Sequence, residues 1–315
     1  MDRRKFLIGS GLTFAGALVG CKTSRKQARS SVSNDGTNIK IYADGVEENF
    51  KIIFASDTHI ALTETLPEPY GDYASRMYKY GVRNVGALEK IIAKAQSQNF
   101  SAIILAGDII NYPSEKNISA VAETIKKSKV PVFYTAGNHD WHYEGDSGSD
   151  IQQRQRWLKA LAPLYLGEKN PLIYSQTING FKFIMLDNST YDVLPEQVEA
   201  FKREISDGKP CVVCSHIPYY FVGRHISFGC GNPNWGAKSD PHWKIERRER
   251  WRDSGLLEST FQLHNIIMNS PNVLGCLAGH THKFTTDIAH GKFQYVAPKG
   301  ILGDSLVVEV KKFSR

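Results

Sequence analysis

Five short stretches of this 315-residue chain place cation-binding or proton-moving side chains directly after apolar runs. They are Asp57-Thr58-His59, Gly107-Asp108, Gly137-Asn138-His139-Asp140, Ser215-His216 and Gly279-His280-Thr281-His282. Any one of them is ordinary, since turns favour Gly, Asn and Asp, and a single His at a strand end is usually just hydrogen-bonded. Five together are harder to explain as turns. Gathered at one place, two Asp and several His cost on the order of several kcal/mol in desolvation and repulsion, a cost that metal cations remove. Imidazole, carboxylate and amide oxygen without a nearby thiolate suit Mn, Fe or Zn rather than Ca or a structural zinc site. Seven ligands are too many for one tetrahedral ion and suit two that share a carboxylate. Two ions about 3.5–4 Å apart can share a hydroxide and clamp a phosphoryl group on both sides, which predicts hydrolysis of a phosphate ester.

The elements that must carry these residues are legible in the flanking pattern. FKIIFAS, FSAIILAG, VPVFYTAG, CVVCS and VLGCLAG read as strands buried on both faces. Between them, VRNVGALEKIIAKAQSQN, KNISAVAETIKKSK, DIQQRQRWLKALA and PEQVEAFKREI read as amphipathic helices. PLIYSQTINGFKFIMLDN predicts a hairpin turning at Asn179-Gly180, FTTDIAHGKFQYVAP one turning at His290-Gly291, and SLVVEVKKF a last strand. The alternation predicts an α/β fold with its site at the C-terminal ends of the strands, where open α/β sheets keep theirs.

In this order, DxH, GD, GNHD, H and GHxH, the motifs resemble the calcineurin-like metallophosphoesterase superfamily over residues 57–282. The resemblance implies a four-layer αββα sandwich of two mixed β-sheets in one domain. It implies that Asp57, His59 and His282 hold one metal, that Asn138, His216 and His280 hold the other, and that Asp108 bridges them. His139 would then be no ligand; it would face the substrate and protonate the leaving oxygen, with in-line attack by a metal-bridging hydroxide. Asp140 is expected to support the site. Many members carry Asp or Arg three positions after the Asp of GD, and an Asp there orients the catalytic His. Here Asn111 stands in its place and is expected to tune His139 without a negative charge. With Asn111 at that position and His59 in the first motif, an Fe–tyrosinate purple enzyme is not expected, although Tyr112 is adjacent.

Substrate selection points to residues 217–260, rich in Tyr, Trp, His and Arg, as a lid or pocket wall; the competing reading is a surface excursion whose rings pack on the core. Tyr219 is a candidate to stack on a base or sugar and Arg224 to meet a phosphate, with Trp141 and His142 candidates beside the GNHD turn. His264 and His290 read as structural.

The N-terminus is different in kind. MDRRKF and the short apolar run LIGSGLTFAGALVG read as a secretory signal over residues 1–20, with a possible twin-arginine pair at Arg3-Arg4. Leu18-Val19-Gly20-Cys21 resembles the lipobox of bacterial lipoproteins, making Cys21 the lipidated residue. Residues 21–45 are expected to be a flexible tether and residues 46–315 the phosphoesterase domain. Arg3, Arg4 and Lys5 against Asp2, followed by Lys22, Arg25, Lys26 and Arg29, supply six of the seven net positive charges, so the charge is no nucleic-acid footprint. The expected partners are a phosphate-ester small molecule, a lipid or cell-wall phosphate, and a bacterial envelope membrane reached through the lipid anchor. CVVC lies in a strand, where positions three apart face opposite sides, so buried thiols are expected at Cys211 and Cys214 rather than a redox pair. From another functional class, the alternative is an inactive ligand- or partner-binding envelope lipoprotein. The intact ligand set speaks against it.

Overall fold

The computed structural model describes residues 29–63, 71–141, 150–224, 230–233 and 256–313. Two six-stranded mixed sheets pack face to face with helices on their outer sides. In chain order the strands are β1 (Ser30–Asp35), β2 (Asn38–Ala43), β3 (Phe50–Ala55), β4 (Ala102–Ala106), β5 (Val132–Thr135), β6 (Ile173–Ile178), β7 (Phe181–Leu186), β8 (Cys211–Cys214), β9 (Val273–Ala278), β10 (Thr285–Ala289), β11 (Lys292–Val296) and β12 (Leu306–Lys312). The first sheet runs β1-β2-β12-β3-β4-β5 and the second β10-β11-β9-β8-β7-β6.

At the heart of each sheet the strands are parallel, β3-β4-β5 in one and β7-β8-β9-β11 in the other. The apolar runs of β4, β8 and β9 are buried throughout, as parallel strands covered on both faces must be. Between the sheets, Phe50 meets Phe181 and Phe183 edge-on at 6.5 and 6.1 Å. Val212 and Cys214 face this inter-sheet core, while Cys211 and Val213 face the helices on the far side. All four described cysteines, Cys211, Cys214, Cys230 and Cys276, are free and buried.

Helices cover the outer faces through narrow apolar stripes. Between the strands lie α1 (Gly71–Tyr78), α2 (Gly86–Ser97), α3 (Glu115–Lys126), α4 (Asn138–Trp141), α5 (Asp150–Leu161), α6 (Pro195–Ile205) and α7 (Glu258–Asn269). Ala87, Leu88, Ile91, Ile92 and Ala95 put the apolar side of α2 on the first sheet. Ser114 caps α3 by accepting the Asn117 N–H at 3.1 Å. Val198 and Phe201 of α6 and Leu263 and Ile267 of α7 cover the second sheet. The two expected hairpins turn at Asn179-Gly180 (φ 46° and 81°) and His290-Gly291 (φ 52° and 73°), as two-residue turns of this hand require.

One expectation is corrected. The tether assigned to residues 21–45 ends earlier, because Ser30–Asp35 and Asn38–Ala43 form an antiparallel hairpin turning at Gly36 (φ 53°). Ile39, Ile41 and Ala43 alternate onto the core, and β12 pairs with β2, so the hairpin belongs to the first sheet. Cys21 and the signal lie outside the described residues. Among the described residues no helix is long and apolar enough to cross a membrane.

Candidate metal centre

The ends of β3, β4, β5, β8 and β9 meet at one edge of the sandwich. Gly107 and Gly137 let two of these loops touch backbone to backbone. A Cβ on Gly107 would sit 2.5 Å from the Gly137 nitrogen, and one on Gly137 would sit 2.3 Å from Asp108 Oδ1. Asp57, His59, Asp108, His280 and His282 all hold left-handed backbone, with φ between 47° and 72°. Each costs on the order of 1–3 kcal/mol, strain that persists where surrounding structure over-determines it and that gathers at functional sites.

Three overlapping groups of ligand atoms result among the described residues. Asp57, His59 and His282 form the first, Asp108, His216 and His280 the second, and His59, Asp108 and His139 a third that links them, the atoms of each lying within 4.8 Å of one another. Asp108 stands between the first two, its Oδ2 3.2 Å from His216 Nε2 and 3.9 Å from His59 Nε2. Its Oδ1 accepts the His139 N–H at 2.7 Å. Asn138 joins the second group, Oδ1 lying 3.1 Å from His216 Nε2.

Three observations fit this pocket to cations. Asp57 Oδ1 is buried without a hydrogen bond and lies 3.2 Å from His282 Nε2 and 3.7 Å from His59 Nε2. His59 Nε2 and His282 Nε2 approach to 3.0 Å, although His59 already donates its Nδ1 proton to Asn111 Oδ1 at 2.8 Å. His216 likewise commits Nδ1–H to the Ala106 carbonyl at 2.9 Å, so its Nε2 lone pair faces the Asn138 oxygen. Lone pairs aimed at one another need a positive charge between them.

Protons take that role where no cation is bound. Burial alone would lower His216, but the Asp108 carboxylate pushes it up to about 10. His59 is also raised, burial being outweighed by Asp57, Asp108 and the Asn111 bond. Against burial, His282 and His59 hold Asp57 well below the usual carboxylate range, and His216 and His139 hold Asp108 low.

The other expected site residues separate. His139 is half-buried, edge-on to His59 at 4.9 Å, with Nδ1–H on the backbone carbonyl of Asn111 at 3.2 Å. The Asn111 side chain does not reach His139. It accepts from His59 and donates to the Met77 carbonyl of α1 at 2.7 Å, because the loop turns its amide toward the first group. Asp140 is fully buried. Its carboxylate accepts the N–H groups of Asp108, Gly137 and Ile110 at 2.8, 2.8 and 3.0 Å, stapling two ligand loops together. Burial and the Asp108 charge push Asp140 up to about 7, against the pull of the Gly137 and Ile110 N–H groups.

Of the substrate candidates, Trp141 is fully buried in the core and donates its indole N–H to Ser189 at 2.7 Å. Tyr219 is buried, its hydroxyl 2.9 Å from Ser215 Oγ. Arg224 is tied to Asp287 and Thr285 of β10. None of these three is presented as a free pocket wall. His142, and Trp235, Trp243 and Trp251 of the expected lid, lie outside the described residues. His264 holds the Tyr220 carbonyl at 2.8 Å, a structural role as expected.

The sequence reading missed two partners of the ligands. Ser56 donates to Asp57 Oδ2 at 2.5 Å, and Tyr191 places its hydroxyl 2.6 Å from His280 Nε2. Tyr191 lies in DNSTYD, directly after β7, so it too follows a strand end, one whose polar cluster lacks His.

The family model described as calcineurin-like phosphoesterase matches residues 50–284. The chain belongs to the calcineurin-like phosphoesterase family. The 3',5'-cyclic adenosine monophosphate phosphodiesterase CpdA of Haemophilus influenzae is 22% identical over 205 residues, 64% of this chain and 63% of that protein. The match thus spans somewhat under two thirds of that relative's length. Among solved structures, a purple acid phosphatase from yellow lupin seeds aligns at TM-score 0.50 and 13% identity, covering 85% of this chain and 47% of that one. A dimetal phosphatase from Danio rerio aligns at TM-score 0.48 and 13% identity, covering 82% and 89%. The lupin enzyme shares the fold of two sheets with flanking helices. Family membership goes with an Asp/His cluster capable of holding metal.

Proposed function

We propose that this protein hydrolyses a phosphate mono- or diester at a centre of two transition-metal cations, Mn, Fe or Zn. Asp57, His59 and His282 would hold one cation and Asn138, His216 and His280 the other, with Asp108 a ligand available to both. The observation that carries the reading is the position of Asp108 Oδ2 between His216 Nε2 and His59 Nε2, with the orphaned Asp57 Oδ1 on the far side.

When bound, the cations supply neutralisation of phosphoryl charge and an activated water for in-line attack. The chain's own residues do the positioning. His139, with Nδ1–H held by the Asn111 carbonyl, keeps Nε2 as its proton-exchanging nitrogen and delivers the proton to the leaving oxygen. Asp140 holds the loops of Asp108 and His139 in register. Since the Haemophilus relative is named as a cyclic-nucleotide phosphodiesterase, we propose phosphodiesters as the first substrates to try. The decisive assay pairs bis-p-nitrophenyl phosphate with p-nitrophenyl phosphate on Mn-supplemented protein, with His216→Ala as control. Hydrolysis that His216→Ala abolishes is expected. Equal inertness of both proteins across a broad phosphate panel would favour a binding role.

We also propose that the chain is exported and anchored by lipid at Cys21, on the lipobox-like Leu18-Val19-Gly20-Cys21. Cys21→Ser is expected to move the protein from the membrane fraction to the soluble one; unchanged association would contradict the anchor.

A further inference from the structure

The loop after β7, residues 187–192, touches three of the ligand-bearing loops. Asn188 donates to the Ile217 carbonyl at 2.8 Å and accepts the Ile217 N–H at 3.0 Å, fixing the chain just after His216. Ser189 accepts the indole N–H of Trp141, at the end of the helix that Asn138 begins. Tyr191 sets its phenol oxygen 2.6 Å from His280 Nε2, the rings edge-on with centroids 5.6 Å apart. His216, Asn138 and His280 are the three residues assigned to the second cation, so one loop braces all of them.

The loop is itself held firmly. Asp187 Oδ1 accepts the backbone N–H and the hydroxyl of Ser189 and lies 3.4 Å from the buried Arg154 guanidinium. The Tyr191 carbonyl meets the Cys230 thiol at 3.3 Å. Tyr191 is buried and has φ 61°, a conformation that a bulky side chain adopts only under constraint.

We propose that Tyr191 is the positioning residue for the second cation: its phenol oxygen accepts the Nε2 proton of His280 and so presents the Nδ1 lone pair to that cation. His280 Nδ1 lies 3.3 Å from His216 Nε2, on the cation side of the ring. A neutral imidazole that ligates through Nδ1 must carry its proton on Nε2, and a buried N–H needs an acceptor. The His280 N–H donates to Asp57 Oδ2 at 2.9 Å, which fixes the backbone, and the Tyr191 hydroxyl bears on the rotation and tautomer of the ring. This inference rests on the two-cation reading above.

The test is Tyr191→Phe, close in shape and lacking only the oxygen. Metal-free wild type and variant are titrated with Mn²⁺, followed by calorimetry and by the exchange-coupled electron paramagnetic resonance signal of paired Mn²⁺. Wild type is expected to take two ions. The variant is expected to keep one tight ion and bind the second about 10–100-fold more weakly, losing the coupled signal at two equivalents and recovering it in excess Mn²⁺. Identical titrations in a wild type that binds two ions would overturn the role of Tyr191. A wild type that binds only one would overturn the two-cation reading instead. Should Tyr191→Phe fail to fold, 3-fluorotyrosine at position 191 keeps the shape and weakens the acceptor. A smaller loss at the second ion is then expected, and no loss overturns the proposal.

Discussion

His216 and His282 offer the same imidazole nitrogen to the site, yet the His216 side chain is fully buried and 39% of that of His282 is exposed. The contrast extends to the two halves they belong to. Around His216 the orienting groups come from the core: the Ala106 carbonyl of β4, the Tyr191 loop after β7, and Asn138 at the start of α4. Around His282 the other two ligands, Asp57 and His59, are buried, so this half meets solvent through the His282 ring, and His59 is oriented by the Asn111 amide, itself tied to α1. The Asp108 half is enclosed by the fold, whereas the Asp57 half opens to solvent at His282. Cation exchange is accordingly expected to be faster in the Asp57 half.

The largest effects should separate the two histidines. His216→Ala is expected to abolish hydrolysis and to destabilise the metal-free protein by about 1–3 kcal/mol, because the Ala106 carbonyl loses its partner in a buried site. His282→Ala should also lose activity while costing the metal-free protein less than His216→Ala, because its ring is 39% exposed and His59 remains beside the Asp57 carboxylate. Denaturant titration of both variants checks the split; equal losses would erase the distinction between the halves. Next in size, Asn111→Ala should weaken the cation of the Asp57 half by about 10–100-fold and leave the other intact. Metal titration of that variant sharpens the comparison, and a loss confined to the Asp108 half would break it.

The last effect is one of pH. Asp108 raises His216 to about 10 in the metal-free fold, above the ordinary 6.5. The stability this supplies is complete below pH 6.5 and is lost as pH rises through about 10. Thermal melting of metal-free protein should therefore fall over that window. Mn²⁺ affinity should rise over it, since fewer protons must be displaced. A flat melting profile would contradict the charge pairing.

Much of this was legible because buried parallel strands read as apolar runs and their polar ends share one sheet edge. The runs ending at Asp57, Asp108, Asn138, His216 and His280 were each visible for that reason. The hairpin at Ser30–Ala43 was not, since its outer strand, SSVSND, is exposed and as polar as a linker. Only Ile39, Ile41 and Ala43 mark its inner face. The direction of a side chain was equally out of reach. Spacing placed Asn111 beside the site, but only the loop's path decides that its amide meets His59 and its carbonyl meets His139. Tyr191 escaped because a strand end rich in Ser, Thr and Asn resembles any turn until its neighbours are known.

The central claim is a working centre of two cations in one chain. Metal-free protein titrated with Mn²⁺, with phosphodiester hydrolysis read at each step, tests it most directly. Activity should stay near background through the first equivalent, rise through the second and level off at two per chain. Full activity at one equivalent, or activity indifferent to added metal, would contradict it.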